Sequence, residues 1–287
     1  MQYSTFAAID IGSYDVILEI FEISKKQGIR SVDKICHRME LGKDTYTLGK
    51  IRPEMEEELC RVLADFVRIM EGYRVDDYRA TASSAISEAS NSLYVLGKIH
   101  QLTGFSVTVL SNSEQRFLSY KALAAMEDNF NKIIEKGTAI LDLDGGSFQI
   151  SLFDKDALVT TQNIRMGSLR IRERLAGIQS ETEHYEEMVE ELIWNEVSSF
   201  KKMYLKDRKI ENIMLIGDVF TDSVYQNIEE KTTKIISREN FNTWYEKIIR
   251  QSPMELAVKL GIPLENASLM YPSAVIYKCL IDMMGAE

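Results

Sequence analysis

The sequence is poor in the residues that build disulfide frameworks and metal centres. It has only three cysteines and three histidines among 287 residues. Neither set has the spacing of a metal-ligand motif, so we expect buried thiols in a reducing cytoplasm and assign no chemistry to the histidines. These residues are Cys36, Cys60, Cys279, His37, His100 and His184.

Long apolar runs and an excess of positive charge are also missing. No segment approaches the roughly 18–20 apolar residues of a membrane helix, and no basic-then-apolar leader is visible at the N-terminus. The formal net charge is -10 and the pI is about 5.1, which argues against broad nucleic-acid binding. With 45% hydrophobic and 27% charged residues, the composition is that of a globular protein of one large or two average domains. We therefore expect neither a membrane nor a nucleic acid as partner.

Two glycine-containing hairpins stand about half a chain apart. FAAIDIGSYDVILEIF begins at Phe6, and TAILDLDGGSFQISLF begins at Thr138. In each, an apolar strand ends in an aspartate, Asp10 or Asp142, just before the turn. Glycine turns leave backbone N–H groups open to a closely approaching phosphate, and an aspartate can hold hydrated Mg²⁺ through water. The repeat predicts two related halves that face each other across a cleft.

Strand and helix patterns follow each hairpin in a similar order. A third strand is expected from Ile29 to Leu41, and a helix with one apolar stripe is expected to begin at Pro53. The second half repeats this plan, which gives domains 1–125 and 126–287, with the boundary close to residue 126. Successive strands followed by helices predict a mixed α/β protein.

Further short motifs follow one another along nearly the whole chain. They are Leu41-Gly42 with Pro53-Glu54, Ala82 to Asn91 (ASSAISEASN), Leu110 to Gln115 (LSNSEQ), Asp142 to Gln149 (DLDGGSFQ), Met166 to Arg170 (MGSLR) and Met270 to Ala274 (MYPSA). With the first hairpin, this series resembles the exopolyphosphatase and guanosine pentaphosphate phosphatase (Ppx/GppA) family. The resemblance implies an α/β fold of two actin-like, ribonuclease H-like lobes, each a mixed sheet flanked by helices, with a cleft between them.

The resemblance also implies an activity and a set of site residues. The activity is hydrolysis of a terminal phosphoanhydride of polyphosphate or guanosine pentaphosphate, with Mg²⁺ held by Asp10 and Asp142. The two glutamates that activate water in the family fall on Gln115 and Gln149, which leaves Glu114 as a replacement base. Phosphate would be bound by Gly12, Ser13, Ser84, Asp144, Gly145, Gly146 and Ser147. A phosphorylated small molecule or short polyphosphate as ligand, a homodimer and a cytoplasmic location complete what the resemblance implies.

The departures from the family pattern all weaken the handling of phosphate and water. Glutamine can orient a water molecule but cannot accept its proton. The family arginines fall on Ile17 and Ser87, while Asp15 and Asp144 add carboxylates close to the turns. Lost bidentate arginine contacts and added like charge predict phosphate binding weaker by several kcal/mol if both carboxylates face the cleft.

Two hypotheses follow, and a third is disfavoured. The protein is a phosphoanhydride hydrolase of reduced activity, or it is a non-catalytic ligand-binding or regulatory relative whose lobes close by hinge motion. Sugar or acetate kinase activity is disfavoured because residues 217–221 (GDVFT) lack the Gly-x-Gly-Thr pattern of an adenosine pocket. Arg116, Arg165 and Arg170 are candidates to replace the lost arginines, although structural roles are favoured for them.

Overall fold

The structure of the protein is a computed structural model that describes residues 3–126, 130–176, 185–206, 208–217, 220–221, 223 and 236–286. Of the residues named above, His184, Asp218 and Val219 lie outside these ranges. The chain divides into two compact units, Met1–Phe117 and Leu118–Glu287. This division falls within the helix Asn112–Met126, whereas the sequence places the lobe boundary at the end of that helix.

The first unit is built on a five-stranded sheet in the order β3-β2-β1-β4-β5. The first three strands form an antiparallel meander, and β1, β4 and β5 run parallel to one another. The first hairpin expected from the sequence is thus confirmed. The strands are β1 (Ser4–Ile11), β2 (Asp15–Ser24), β3 (Gly28–Arg38), β4 (Asp77–Ala82) and β5 (Val107–Val109).

Helices cover this sheet, and the expected helix beginning at Pro53 contributes its apolar stripe to the core. Leu59, Leu63 and Phe66 on that stripe are buried, in one core with the apolar residues of the sheet. The covering helices are α1 (Leu41–Leu48), α2 (Pro53–Tyr73), α3 (Ser84–Ser87) and α4 (Ser92–Thr103). The helix α5 (Asn112–Met126) continues into the second unit, where Tyr120 and Leu123 pack against the core residues Phe130, Ile134, Ile140 and Phe153.

The predicted end of the third strand is wrong. The strand stops at Arg38, and Leu41 is instead the first residue of α1, which ends at Leu48 and is followed by Gly49 with φ +71°. Met39 and Leu41 are both buried, so the alternating apolar pattern that suggested a longer strand comes from a core contact made by the start of a helix. Gly49 has the left-handed conformation that commonly terminates helices.

The second unit repeats the antiparallel meander and its parallel neighbour in a four-stranded sheet of order β8-β7-β6-β9. The second hairpin is also confirmed. The strands are β6 (Thr138–Leu143), β7 (Phe148–Asp154), β8 (Ala157–Ile164) and β9 (Asn212–Ile216). The helices are α6 (Phe130–Ile134), α7 (Ser168–Leu175), α8 (Tyr185–Phe200) with a π-helical turn Lys201–Leu205, α9 (Arg238–Ile249), α10 (Pro253–Leu260) and α11 (Leu264–Met284).

Local sequence signals explain where the last helices begin. Ser237 accepts the Asn240 N–H before α9, and Ser252 forms a reciprocal capping box with Glu255 before α10, as serine at this position commonly does. The long helix α11 is buried along most of its length, with Tyr277 fully enclosed. Within the described ranges, no helix has both the length and the apolar character needed to cross a membrane.

Candidate functional site

The two hairpin turns, residues 12–15 and residues 144–147, are closed in the same way. In the first turn the Gly12 N–H donates to the Asp15 carbonyl at 2.9 Å, and in the second the Asp144 N–H donates to the Ser147 carbonyl at 2.9 Å. Each turn joins the last residue of a leading strand to the first residues of its antiparallel partner. The predicted phosphate-binding residues of each hairpin therefore share one turn geometry.

A helix is attached to each turn by its first backbone N–H groups. The Gly42 N–H of α1 donates to the Ser13 carbonyl at 2.7 Å, and the Arg170 N–H of α7 donates to the Gly145 carbonyl at 3.0 Å. The Arg170 guanidinium also donates from Nε to the Gly146 carbonyl at 2.8 Å. Arg170, a candidate replacement for a lost phosphate-binding arginine, thus has a structural bond to the turn.

Gly167 allows the second turn to pack closely. A Cβ atom at this position would lie 2.2 Å from the Asp144 carbonyl oxygen and 2.4 Å from the Ser147 nitrogen. Real Cβ atoms do not approach backbone atoms so closely, so only glycine fits here without displacing the turn.

Asp10 lies near the end of β1, opposite Ile17 of β2 and Thr81 of β4. The Thr81 hydroxyl donates to Asp10 Oδ1 at 3.3 Å. The residue is exposed to solvent, yet desolvation by surrounding protein raises the pKa of Asp10 to about 6. The Asp15 carboxylate is the second cause, and the Thr81 bond opposes the shift. Water reaches the exposed part of Asp10, while protein atoms surround the rest of its carboxylate. The ionised form of Asp10 is therefore disfavoured, and a nearby cation would favour it.

Asp15 fills the open face of the first turn. Its Oδ1 lies 3.0 Å from the position that a Cβ on Gly12 would occupy, and Asp10 Oδ2 lies 3.9 Å from the same position. Arg38 donates from Nη1 to Asp15 Oδ2 at 2.9 Å. Desolvation raises the pKa of Asp15, and Arg38 is the main opposing influence. The space beside the Gly12 Cα therefore holds the chain's own carboxylate, and the Gly12 N–H is bonded to the Asp15 carbonyl.

Asp142, Gln149 and Asn163 form a polar row across three neighbouring strands. Asp142 of β6 lies opposite Gln149 of β7, which lies opposite Asn163 of β8. Opposed residues of antiparallel strands project to the same face. The Ser119 hydroxyl donates to Asp142 Oδ2 at 2.9 Å; desolvation raises the pKa of Asp142 despite this bond. Asn163 Oδ1 is buried and has no hydrogen-bond partner in the part of the chain that the structure describes.

Asp144 occupies a donor of the second turn. Its Oδ1 accepts a hydrogen bond of 2.6 Å from the Gly145 N–H. A backbone N–H in a glycine turn is the kind of group that binds phosphate oxygens. At Gly145, that donor is already bonded to a carboxylate oxygen of the neighbouring residue.

The structure brings together Ser13 and Ser84, which are distant in sequence. Their hydroxyl oxygens lie 3.5 Å apart, and the Tyr46 hydroxyl oxygen lies 2.7 Å from Ser13 Oγ and 2.8 Å from Ser84 Oγ. The two serines that the sequence assigns to phosphate binding therefore share a tyrosine as hydrogen-bond partner.

Glu114, predicted as the replacement base, caps the start of α5. Its Oε2 accepts hydrogen bonds from the Ser111 N–H at 2.9 Å and the Ser111 hydroxyl at 2.7 Å. These bonds lower the pKa of Glu114, the hydroxyl contributing most. The following Gln115 lies one position further along the helix and is half-buried. A carboxylate whose pKa is lowered in this way is a poorer proton acceptor. The catalytic role of Glu114 stays a prediction.

Asp10, Asp15 and Asp142 fit a hydrated magnesium ion better than a closed metal centre. Mg²⁺ in proteins commonly uses one or two carboxylates, keeps several waters and shares substrate phosphate oxygens. Asp10 with Asp15 in the first unit, and Asp142 in the second, offer such ligands. Among the described residues, no group of three or more His, Cys, Asp or Glu side chains is suited to hold a metal.

Sequence reasoning missed Tyr46, Ser119 and Asn163, all of which lie at the predicted site residues. A signal existed for Ser119, because it follows Gln115 at i,i+4 and therefore shares its helix face. No local signal points to Tyr46, since its partners Ser13 and Ser84 are brought to it only by the fold. Asn163 is recognisable only once the register of β8 against β7 is known.

Comparison with known proteins identifies the family. The chain belongs to the Ppx/GppA phosphatase family, whose sequence profile matches residues 19–287. The bifunctional 3-dehydroquinate synthase/phosphatase of Fusobacterium nucleatum is 22% identical over 98% of this chain and 44% of that protein. Exopolyphosphatase 1 of Mycobacterium leprae is 25% identical over 50% of this chain and 41% of that protein. The chain thus spans less than half the length of these relatives.

Solved structures of the family share the fold. An exopolyphosphatase from Cytophaga hutchinsonii superimposes with a TM-score of 0.85 at 18% identity, covering 98% of this chain and 91% of that one. A Ppx/GppA family member from Aquifex aeolicus gives a TM-score of 0.75 at 19% identity, covering 100% and 92% of the two chains. The expected actin-like α/β architecture, two sheets flanked by helices, is confirmed.

Proposed function

We propose that the protein binds a compound with a terminal phosphoanhydride, such as a short polyphosphate or guanosine pentaphosphate, together with Mg²⁺, and hydrolyses its terminal phosphate slowly. The observation that carries this proposal is the pair of equivalent hairpins. Each has an aspartate before the turn, and desolvation raises the pKa of both Asp10 and Asp142. A carboxylate whose ionised form is disfavoured is suited to a divalent cation, which favours that form.

The proposed binding uses the turns and the aspartates that precede them. Asp10 in the first unit and Asp142 in the second are each a proposed ligand for Mg²⁺, which would neutralise charge on phosphate oxygens when bound. Within each turn, the proposed phosphate ligands are the serine hydroxyl and the backbone N–H groups other than those of Gly12, Asp144 and Gly145, which bond within their turns. Ser84 is added in the first unit. Phosphoryl transfer depends mainly on such positioning and charge neutralisation, so the retained hairpins support binding to this class of compound.

Slow hydrolysis follows from the absence of a good base. Gln115 and Gln149 can orient water but cannot take its proton. The Glu114 carboxylate accepts two bonds from Ser111, and these lower its pKa. General-base catalysis commonly contributes about 10²–10⁴-fold to a rate, and we expect a deficit of that order relative to a protein with glutamates at positions 115 and 149.

Binding without turnover is a second candidate, and the carboxylates at the turns favour it. Asp144 Oδ1 accepts a hydrogen bond of 2.6 Å from the Gly145 N–H. Asp15 Oδ1 lies 3.0 Å from the position that a Cβ on Gly12 would occupy. Both place negative charge where a phosphate would need donors, which opposes the approach of a polyanion. A protein of this kind would report the presence of a ligand without consuming it.

The test measures phosphate release from tripolyphosphate and guanosine pentaphosphate with Mg²⁺, for the wild type and Asp142→Asn. The matched control is Asp156→Asn, because Asp156 is exposed and has φ +63°, a conformation that asparagine also tolerates. Release that disappears in Asp142→Asn but persists in the control supports the hydrolase.

Calorimetry of the same proteins separates the remaining outcomes. Mg²⁺-dependent binding of either compound without release would support the second candidate. If the wild type shows neither binding nor release with both compounds, the two candidate functions are contradicted together.

A further inference from the structure

The hydroxyl cluster of the first unit has Tyr46 at its centre. The two short oxygen–oxygen distances, 2.7 and 2.8 Å, both involve the tyrosine, whereas the two serine oxygens are 3.5 Å apart. Hydrogen bonds between hydroxyls are usually about 2.7–2.8 Å long. The serines are therefore bonded mainly through Tyr46 and only weakly to each other.

The position of Tyr46 is fixed by its helix as well as by its hydroxyl. The Gly42 N–H of α1 donates to the Ser13 carbonyl at 2.7 Å, and the Thr45 hydroxyl donates to the Ala85 carbonyl at 2.7 Å. These bonds attach α1 to the first turn on one side and to α3 on the other. We therefore expect the ring to stay beside the two serines when its hydroxyl is removed.

A phosphate that uses the serines must compete with the tyrosine. Each hydroxyl has one proton to donate, and Ser13 is fully buried with the Tyr46 oxygen as its close partner. An ionised phosphate oxygen is a stronger acceptor than a phenol oxygen, because charge-assisted hydrogen bonds are roughly twice as strong as neutral ones. A neutral hydroxyl ligand has no such advantage over Tyr46.

We infer that Tyr46 is a specificity-determining residue beside the first turn. Its hydroxyl prevents neutral ligands from binding to Ser13 and Ser84, whereas an ionised phosphate group displaces it. This inference rests on the proposed function, since it assigns the selectivity of the same predicted phosphate site. Phosphate binding then replaces a bond from a serine hydroxyl to the Tyr46 oxygen with a bond from that hydroxyl to a phosphate oxygen, and Tyr46 weakens the affinity while it sharpens the choice of ligand.

The test compares Tyr46→Phe with the wild type, using calorimetric titration of tripolyphosphate with Mg²⁺. Tyr46→Phe removes the competing oxygen but keeps the ring, so we expect tripolyphosphate to bind about tenfold more tightly, the effect of roughly one neutral hydrogen bond. The matched control is Tyr78→Phe, which removes a hydroxyl that accepts the Ser106 N–H at 3.2 Å at the other end of β4. The control should leave the affinity unchanged.

Titration with glycerol provides a second measurement of selectivity. Glycerol offers neutral hydroxyls, and we expect it to protect Tyr46→Phe against thermal unfolding more than it protects the wild type. A purely structural tyrosine would lower the melting temperature when replaced, without tightening either ligand.

Each outcome has a distinct meaning. Tripolyphosphate binding that is tighter than that of the wild type in Tyr46→Phe, and not in Tyr78→Phe, supports the inference. Equal or weaker binding by Tyr46→Phe overturns it while leaving the proposed function intact. Absence of binding by both proteins overturns the inference together with the proposed function.

Discussion

In the first unit the aspartate at the end of the leading strand lies between Ile17 and Thr81, whereas in the second unit it lies between Gln149 and Ile216. The polar neighbour is thus on the parallel strand in one unit and on the antiparallel strand in the other. The shared topology fixes where each carboxylate stands, and the neighbouring strands decide what surrounds it. The second unit, with its glutamine, is better suited to orient water.

The turns differ in the same manner. Each turn has one carboxylate, but Asp15 is the last residue of the first turn and Asp144 is the first residue of the second. The helix N–H that docks on each turn belongs to Gly42 in the first unit and to Arg170 in the second. The backbone geometry is therefore shared, while the charges placed on it are not.

The largest effect is expected when the close packing of the second turn is broken. Gly167→Ala would place a Cβ 2.2 Å from the Asp144 carbonyl oxygen, and we expect it to lower the free energy of unfolding by about 3 kcal/mol, the upper part of the overpacking range. The matched control is Gly97→Ala within α4, where nothing lies within 4 Å. Alanine favours a helix over glycine by about 0.5–1 kcal/mol, so the control should be slightly stabilised. Urea denaturation measures both, and equal stabilities would contradict the close packing.

Removing the two turn carboxylates separately sharpens the comparison of charge. Asp144→Asn keeps an oxygen for the Gly145 N–H but loses the negative charge, and we expect tripolyphosphate affinity to rise about tenfold. Asp15→Asn should give a smaller rise, because Arg38 already offsets the charge of Asp15 at 2.9 Å. Calorimetric titration in Mg²⁺ checks the order of the two effects. An unchanged affinity in Asp144→Asn would show that its carboxylate does not oppose the ligand.

The raised pKa of Asp10 gives a pH-dependent prediction. Because its folded pKa is about 6 and its ordinary value 3.8, ionisation of Asp10 opposes folding. The penalty is complete above pH 6, diminishes as the pH falls through 6, and is absent below 3.8. Asp10→Asn should therefore be more stable than the wild type at pH 7.5, by on the order of 1 kcal/mol after allowance for solvent screening of an exposed carboxylate.

Thermal unfolding between pH 4 and pH 8, without and with Mg²⁺, checks this prediction. The advantage of Asp10→Asn should vanish towards pH 4, and Mg²⁺ should reduce it at pH 7.5 by stabilising the wild type alone. A difference that is the same at every pH would contradict the assignment to ionisation of Asp10.

The smallest effect is expected at Asn163. Its buried Oδ1 lacks a partner among the described residues, so Asn163→Leu should leave stability within about 1 kcal/mol of the wild type or raise it. The matched control is Asn91→Leu, because Asn91 accepts the Ile51 N–H at 3.0 Å and donates to the Ile51 carbonyl at 2.8 Å. Loss of both bonds should destabilise the control by about 1–3 kcal/mol. Urea denaturation compares the two, and an equal loss in both variants would indicate that Asn163 has a structural partner.

The elements that the sequence predicts well are those with strong local patterns. The two hairpins are apolar strands flanking a glycine turn, and α2 has an apolar stripe that begins after Pro53. The helix α1 was missed because its first residue, Leu41, continues the alternation of the preceding strand. Periodicity over so few residues does not separate a strand from a buried helix start.

The site residues likewise separate into those that have a local sequence pattern and those that do not. The aspartates, glycines and glutamines stand within the hairpins or beside recognisable helix starts, so their positions could be read from the chain. The contacts of Tyr46 with Ser13 and Ser84 depend on the tertiary fold. The hydrogen bond from the Gly145 N–H to Asp144 depends on a side-chain rotamer, and neither kind of contact leaves a local pattern.

The central proposal is that the hairpin turns bind phosphate while Gln115 and Gln149 leave hydrolysis without a good base. The most direct test is the initial rate of phosphate release from tripolyphosphate with Mg²⁺ by the double variant Gln115→Glu, Gln149→Glu. The new carboxylates should raise the rate by about 10²-fold or more over the wild type, since general-base catalysis commonly contributes about 10²–10⁴-fold. A rate no higher than that of the wild type would contradict the claim that these two positions limit hydrolysis.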